Sequence, residues 1–228
     1  MAKDQYSGPL DCAALAEGMN AAQANARRLT VDAQLLFEGG RYATTAALCV
    51  LAIEEAGKRR ILRELALARD EAELRQAWKA YRSHTNKNVL WPMFDMLAQG
   101  AKKASDFVQL FDSNADHPQI LDELKQLSFY TDCYRRKHWS VPEEVVSRDL
   151  AQGLLQIASN LAPAEARRIS PEEMELWIQY MQPVWKTTDE LMQKALFDWD
   201  HEMRRRGLIP ESMTSMRDFF SEGIDLRR

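Results

Sequence analysis

Residues 41–67 read RYATTAALCVLAIEEAGKRRILRELAL. Small and apolar side chains recur there every three or four positions, at Ala43, Ala47, Val50, Leu51, Ile61 and Leu65. That is the period of an α-helix with one face in a core. At 100° per residue, Glu54 and Lys58 fall near the middle of the same stripe. They are four apart with the glutamate first, the favourable order for an ion pair on one helix face. Burying either charge alone would take several kcal/mol out of the folded state. The two must therefore be paired, hydrogen-bonded or lining a cleft.

The helical period continues on both sides. Upstream, a long helix is expected from Pro9 or Asp11 to Glu38, stopped by Gly39-Gly40. So short a connection makes the two helices antiparallel neighbours. Asn25 and Asp32 share the face made by Ala22, Leu29, Ala33 and Leu36. Asp32 is expected to meet Lys58 or an arginine of the second helix. Downstream, Asp70 can cap a third helix to about Ser83, and Trp91-Pro92 interrupts the chain. Further helices are expected over 93–111, from Pro118 to about Tyr134, and from Glu143 to about Leu161. Ser170-Pro171-Glu172-Glu173 starts a long one that runs to Arg206, bent at Pro183 and ended by Gly207. A short segment, 210–222, follows.

Strand and hairpin signals are nearly absent, with no Asn-Gly or Asp-Gly turn. The expected fold is all-α, an antiparallel helical bundle with an additional long C-terminal helix. Two units are expected: a helical domain over residues 1–162 and a C-terminal helical extension over 163–228.

The chain has 228 residues with 46% apolar and 28% charged side chains, enough to bury a core. Its net charge of −4 excludes a generally basic nucleic-acid coat, though not a local basic patch. Cys12, Cys49 and Cys133 are odd in number and widely spaced, which supports neither a disulfide framework nor a zinc knuckle. The N-terminal MAKDQYSGPLD lacks the apolar core of a signal peptide, and no apolar run is long enough to span a membrane. A cytoplasmic protein without a membrane segment is expected.

Three groups of polar residues can carry function. The first is a buried network of Asp32, Glu54, Glu55 and Lys58, read either as a structural ion-pair cluster or as charges around a cleft. The second is Tyr81-Arg82-Ser83-His84-Thr85-Asn86-Lys87. His84 beside Arg82 and Lys87 is either a capped helix-end histidine or a base next to cations. With Glu54 as orienting acid, those are the parts needed to cleave RNA through its neighbouring 2′-hydroxyl. The third is Arg135, Arg136, Lys137 and Trp139, either a solvated turn or cations interleaved with aromatics that grip a nucleic acid or a partner. No His-x-x-x-His or carboxylate pair at ligand spacing accompanies them, so neither a metal nor another cofactor is expected.

The run Asn25-Ala26…Leu29…Asp32-Ala33, then Gly40-Arg41-Tyr42-Ala43…Ile53-Glu54-Glu55…Lys58, resembles the opening of the AbiV-type abortive-infection proteins. The likeness continues through His84…Lys87, Leu124-Lys125…Tyr130-Thr131-Asp132 and Trp139-Ser140-Val141-Pro142, from about Asn25 to Ala158. It implies an HEPN-type bundle, a homodimer, and a role in bacterial defence against phage. It further implies either binding of a phage or host protein or metal-independent cleavage of RNA. The arginine that HEPN ribonucleases carry ahead of a histidine, with four to six residues between the two, is absent before His84, His117, His138 and His201. Lys79 stands nearest to that place ahead of His84.

Overall fold

The structure is a computed structural model that describes residues 5–112, 114–134 and 137–223. Helix α1 (Cys12–Glu38) and helix α2 (Tyr42–Ala66) form the expected antiparallel pair. Asp11 caps α1 by accepting from the Ala14 amide at 2.7 Å. The turn between the helices needs a left-handed residue, and Gly40 supplies it with φ of +73°. Alanine and valine on the facing stripes let the axes approach closely. Ala26, Ala33, Ala46, Ala47 and Val50 are all fully enclosed.

Beyond α2 come α3 (Glu71–Arg82), the single turn α4 (His84–Lys87), α5 (Met93–Ala98) and a 3₁₀ turn (Ala104–Phe111). Next are α6 (His117–Phe129), strands β1 (Asp132–Tyr134) and β2 (His138–Ser140), α7 (Pro142–Val145) and α8 (Arg148–Leu161). Helices α6 and α8 pack on α2, and Leu121, Leu154, Leu155 and Ala158 close the main core around Val50 and Ile53. Among the described residues the fold is all-α apart from one two-stranded hairpin.

Four helical boundaries differ from expectation, each for a local reason. The helix over 93–111 is broken by Gly100, whose φ is +105°, and Asp106 then ties up the Lys102 and Lys103 amides. The helix from Pro118 ends at Phe129, and the next residues pair antiparallel with Cys133 opposite Trp139. The helix from Glu143 is split because Ser147 starts α8 afresh by capping the Leu150 amide. The single helix over 171–206 is two: α9 (Pro171–Met181) and α10 (Asp189–Arg205), joined through a 3₁₀ turn (Gln182–Val184). Pro183, the left-handed Lys186 with φ of 60°, and Thr188 capping Leu191 make the break. Helix α10 doubles back on α9, with Trp177 edge-on to Trp199 at 5.3 Å between ring centroids. A last short helix, α11 (Met216–Ser221), follows.

The C-terminal segment is bolted to the first two helices. Ile169 and Met174 share an apolar cluster with Leu15, Met19, Leu62 and Leu65. The Trp177 indole donates to the Arg63 carbonyl at 3.1 Å.

Candidate functional site

The site is built around Glu54, half-way along α2 and only 3% exposed. Its Oε1 accepts from Lys125 Nζ at 2.7 Å, and its Oε2 lies 2.7 Å from His84 Nδ1 and 3.6 Å from Lys87 Nζ. Lys125 also donates to Asp122 Oδ1 at 2.6 Å. Three segments, α2, α4 and α6, thus converge on one carboxylate. Two ammonium groups balance two carboxylates, which is how a helix bundle accommodates buried charge.

Gly57 makes the convergence possible. A Cβ built there would lie 2.0 Å from the Lys87 carbonyl oxygen. Only glycine lets the α4 turn seat its backbone against α2. The turn is capped by Ser83, which accepts from the Asn86 amide, and pinned by Arg60, which donates to the Asn86 carbonyl at 2.8 Å. His84 is thereby held at the surface, with 58% of its side chain exposed and one ring nitrogen anchored below. An ionised carboxylate only accepts, so Nδ1 is the donor. In the neutral ring Nε2 then carries the lone pair.

Burial pulls the Lys87 ammonium below the ordinary lysine range, and the charges of Lys58 and Lys125 add to that against Glu54 and Glu55. Burial also opposes the charge on Lys125. Its hydrogen bonds to Asp122 and Glu54 outweigh that effect, and its pKa lies above the ordinary value.

Of the residues singled out in the sequence, Glu54, His84 and Lys87 come together. The others are placed elsewhere. Asp32 stands at the edge of the α1 apolar face with its side chain 45% exposed. Arg28, one turn earlier, reaches it at 3.0 Å, and among the described residues Asp32 pairs with neither Lys58 nor an arginine of α2. Lys58 pairs with Glu55 at 2.5 Å and not with Glu54, whose oxygens are taken. Its ammonium lies over the Tyr81 ring at 5.3 Å. Arg82 turns away, donating to the Tyr6 carbonyl at 2.6 Å and stacking on Trp78. Lys137 and Trp139 are exposed on the hairpin and make no ion pair or side-chain hydrogen bond with the Glu54 cluster, whereas Arg135 and Arg136 lie outside the described residues.

Two members of the cluster, Lys125 and Asp122, are missed by reading α2 alone. The signal is in α6, where Lys125 shares the buried face of Pro118, Leu121 and Ser128. A lysine at such a position calls for a carboxylate across the interface.

Glu54, His84 and Asp122 bring one ligand-type atom each within 4.8 Å of one another. A divalent cation does not fit among them, because Lys125 Nζ already bridges the two carboxylates. The cluster can orient an imidazole and hold three segments together.

Comparison with known protein families matches residues 14–163 to the AbiV family of HEPN domains. The chain belongs to the AbiV family. The match takes in α1 through α8 and every member of the Glu54 cluster, and it stops where the C-terminal segment begins. Neither curated proteins nor solved structures yield a match to this AbiV-family chain. No helix among its described residues is long and apolar enough to cross a membrane.

Proposed function

We propose that this AbiV-family protein acts in the bacterial cytoplasm as an abortive-infection factor. It binds a phage or host component and arrests growth or translation. The observation that carries the reading is the family match over residues 14–163, in which the polar centre is a charge-balanced fastening. Lys87 is spent on Glu54 and Arg82 on Tyr6 and Trp78, so neither stands free to hold a phosphorane. Exposed Phe129, Tyr130 and Trp139, at the end of α6 and on the hairpin, offer aromatic anchors to a second copy or a partner. The active form is a homodimer.

A second reading rests on the His84–Glu54 pair. A carboxylate-oriented imidazole with an exposed ring is a workable general base, and it supports a metal-independent endoribonuclease with His84 as the base. The two readings separate in one experiment. Cells producing wild-type protein or His84→Ala are challenged with phage, and plaque counts are scored beside the integrity of cellular RNA. Under the binding reading both proteins reduce plaques and leave RNA intact. Loss of protection together with loss of RNA cleavage in the variant transfers the function to the ribonuclease. Plaque counts equal to those of cells lacking the protein, across a broad phage set, sink the defence role itself.

A further inference from the structure

Residues 93–112 leave the bundle after Trp91-Pro92 and are fastened to it lightly. Among the described residues, every hydrogen bond they make stays between residues 90 and 115. Helix α5 buries no side chain, and the 3₁₀ segment that follows buries two, Phe107 and Leu110. Val108 and Phe111 of the same segment are 67% and 58% exposed. A 3₁₀ run from Ala104 to Phe111 is longer than the usual about three or four residues, which marks a hinge or a strained stretch. A unit with so few buried contacts is the part of a fold that opens first.

The two buried side chains have different neighbours. Leu110, with Phe111, closes a cavity of about 260 Å³ against Thr85 and Asn86 of α4, with Arg60 and Pro118 in the same wall. Phe107 meets Phe219 of α11, the ring centroids 6.0 Å apart. Gly223, just past α11, comes so near the same segment that an added Cβ would lie 2.6 Å from the Lys102 Cβ. Helix α11 is in turn tied to α10. Phe220 stands edge-on to Phe197 at 5.4 Å, and Arg217 lies over the Phe197 ring at 5.1 Å.

We infer that residues 101–112 form a strap closed over α4, and that the C-terminal helix α11 is the latch that holds it shut. The strap carries no polar tie of its own to the bundle among the described residues, so its closure rests on apolar contacts at its two ends, Leu110 on α4 and Phe107 on the latch. Drawing α11 away removes one of the two and lets the strap swing about Gly100, which is left-handed with φ of +105°. The cavity beside the turn that carries His84 then opens to solvent. The strap lies inside the family-matched residues and the latch outside them, so the C-terminal segment adds a control that the matched bundle does not itself contain. The device rests on neither reading of function, because it concerns only what uncovers α4.

Hydrogen–deuterium exchange of the intact protein, read by mass spectrometry, tests it. Phe219→Ala should speed exchange in peptides covering 104–111 and 84–89 together by at least about tenfold. An aromatic contact with the area it buries is worth more than one decade in an equilibrium. Helices α1 and α2 should keep wild-type protection. Phe107→Ala should reproduce the pattern from the strap side, and Val108→Ala, on the exposed face of the same segment, should exchange like wild type. Unchanged exchange over 104–111 in Phe219→Ala overturns the latch. Faster exchange there with 84–89 unchanged overturns the closure over α4. Protection lost equally in α2 overturns the device, because the strap would then open only with the whole bundle.

Discussion

Glu54 is held by three cationic or hydrogen-bonding partners, and they are not equivalent. Lys125 is as enclosed as the carboxylate, with 7% of its side chain exposed, whereas His84 stands mostly in solvent. Removing the carboxylate leaves Lys87 buried with no acceptor and Lys125 with Asp122 alone. Glu54→Ala should therefore lower stability by about 3–5 kcal/mol, the cost of breaking a buried pair. His84→Ala removes an exposed ring from the same carboxylate and should cost under about 1 kcal/mol. Urea unfolding of the two variants checks the contrast. Equal losses would mean that the cluster is more open to water than its burial indicates.

Helix α2 is the element on which the others are registered, and Gly57 is where its register is set. In an exposed helix, alanine in place of glycine would add about 1 kcal/mol of stability. Here the sign reverses, because the added methyl would lie 2.0 Å from the Lys87 carbonyl and α4 would be pushed off. Gly57→Ala should destabilise by about 1–3 kcal/mol, as overpacking does. It should also shift the NMR resonances of the His84 ring, which loses its seat above Glu54. A stabilised Gly57→Ala protein would show that α4 does not dock on α2.

The bundle and the C-terminal segment are joined by charges as well as by Met174 and Ile169. Glu73 on α3 accepts from Arg69 and from Lys186, the left-handed residue of the α9–α10 turn, at 2.8 and 3.3 Å. Hydrogen bonds from the Arg69 side chain and amide, with Lys186 behind them, hold its carboxyl down to about 2. A carboxyl depressed in the folded state favours folding at any pH above its unfolded value. That contribution fades as pH falls from the ordinary glutamate range toward about 2. Glu202, held by Arg205 and Arg206 to about 2, behaves in the same way within α10. Thermal unfolding should show Glu73→Gln less stable than wild type near neutral pH, with the gap closing on acidification. A gap that stays constant down to acid pH would mean that the charge on Glu73 does not tie the two parts together.

The long helices α1 and α2, their antiparallel turn at Gly39-Gly40 and the all-α class were legible in the sequence, because periodicity and caps are local signals. So was the anomaly of Glu54 on an apolar stripe, and the need for something to meet it. The partner could not be read from α2. Lys58 satisfied the spacing rule, yet Lys125, 71 residues away, took the carboxylate, and Asp32 went to Arg28 on its own helix. The split of residues 171–206 into α9 and α10 was signalled by Pro183, but not that the halves would fold back and set Trp177 edge-on to Trp199. Helical period and capping depend on neighbours within a few residues, and a sequence displays them directly. Which buried charges meet is settled by how α4 and α6 dock on α2, where desolvation penalises every pairing but one, and that choice exists only in the packed chain.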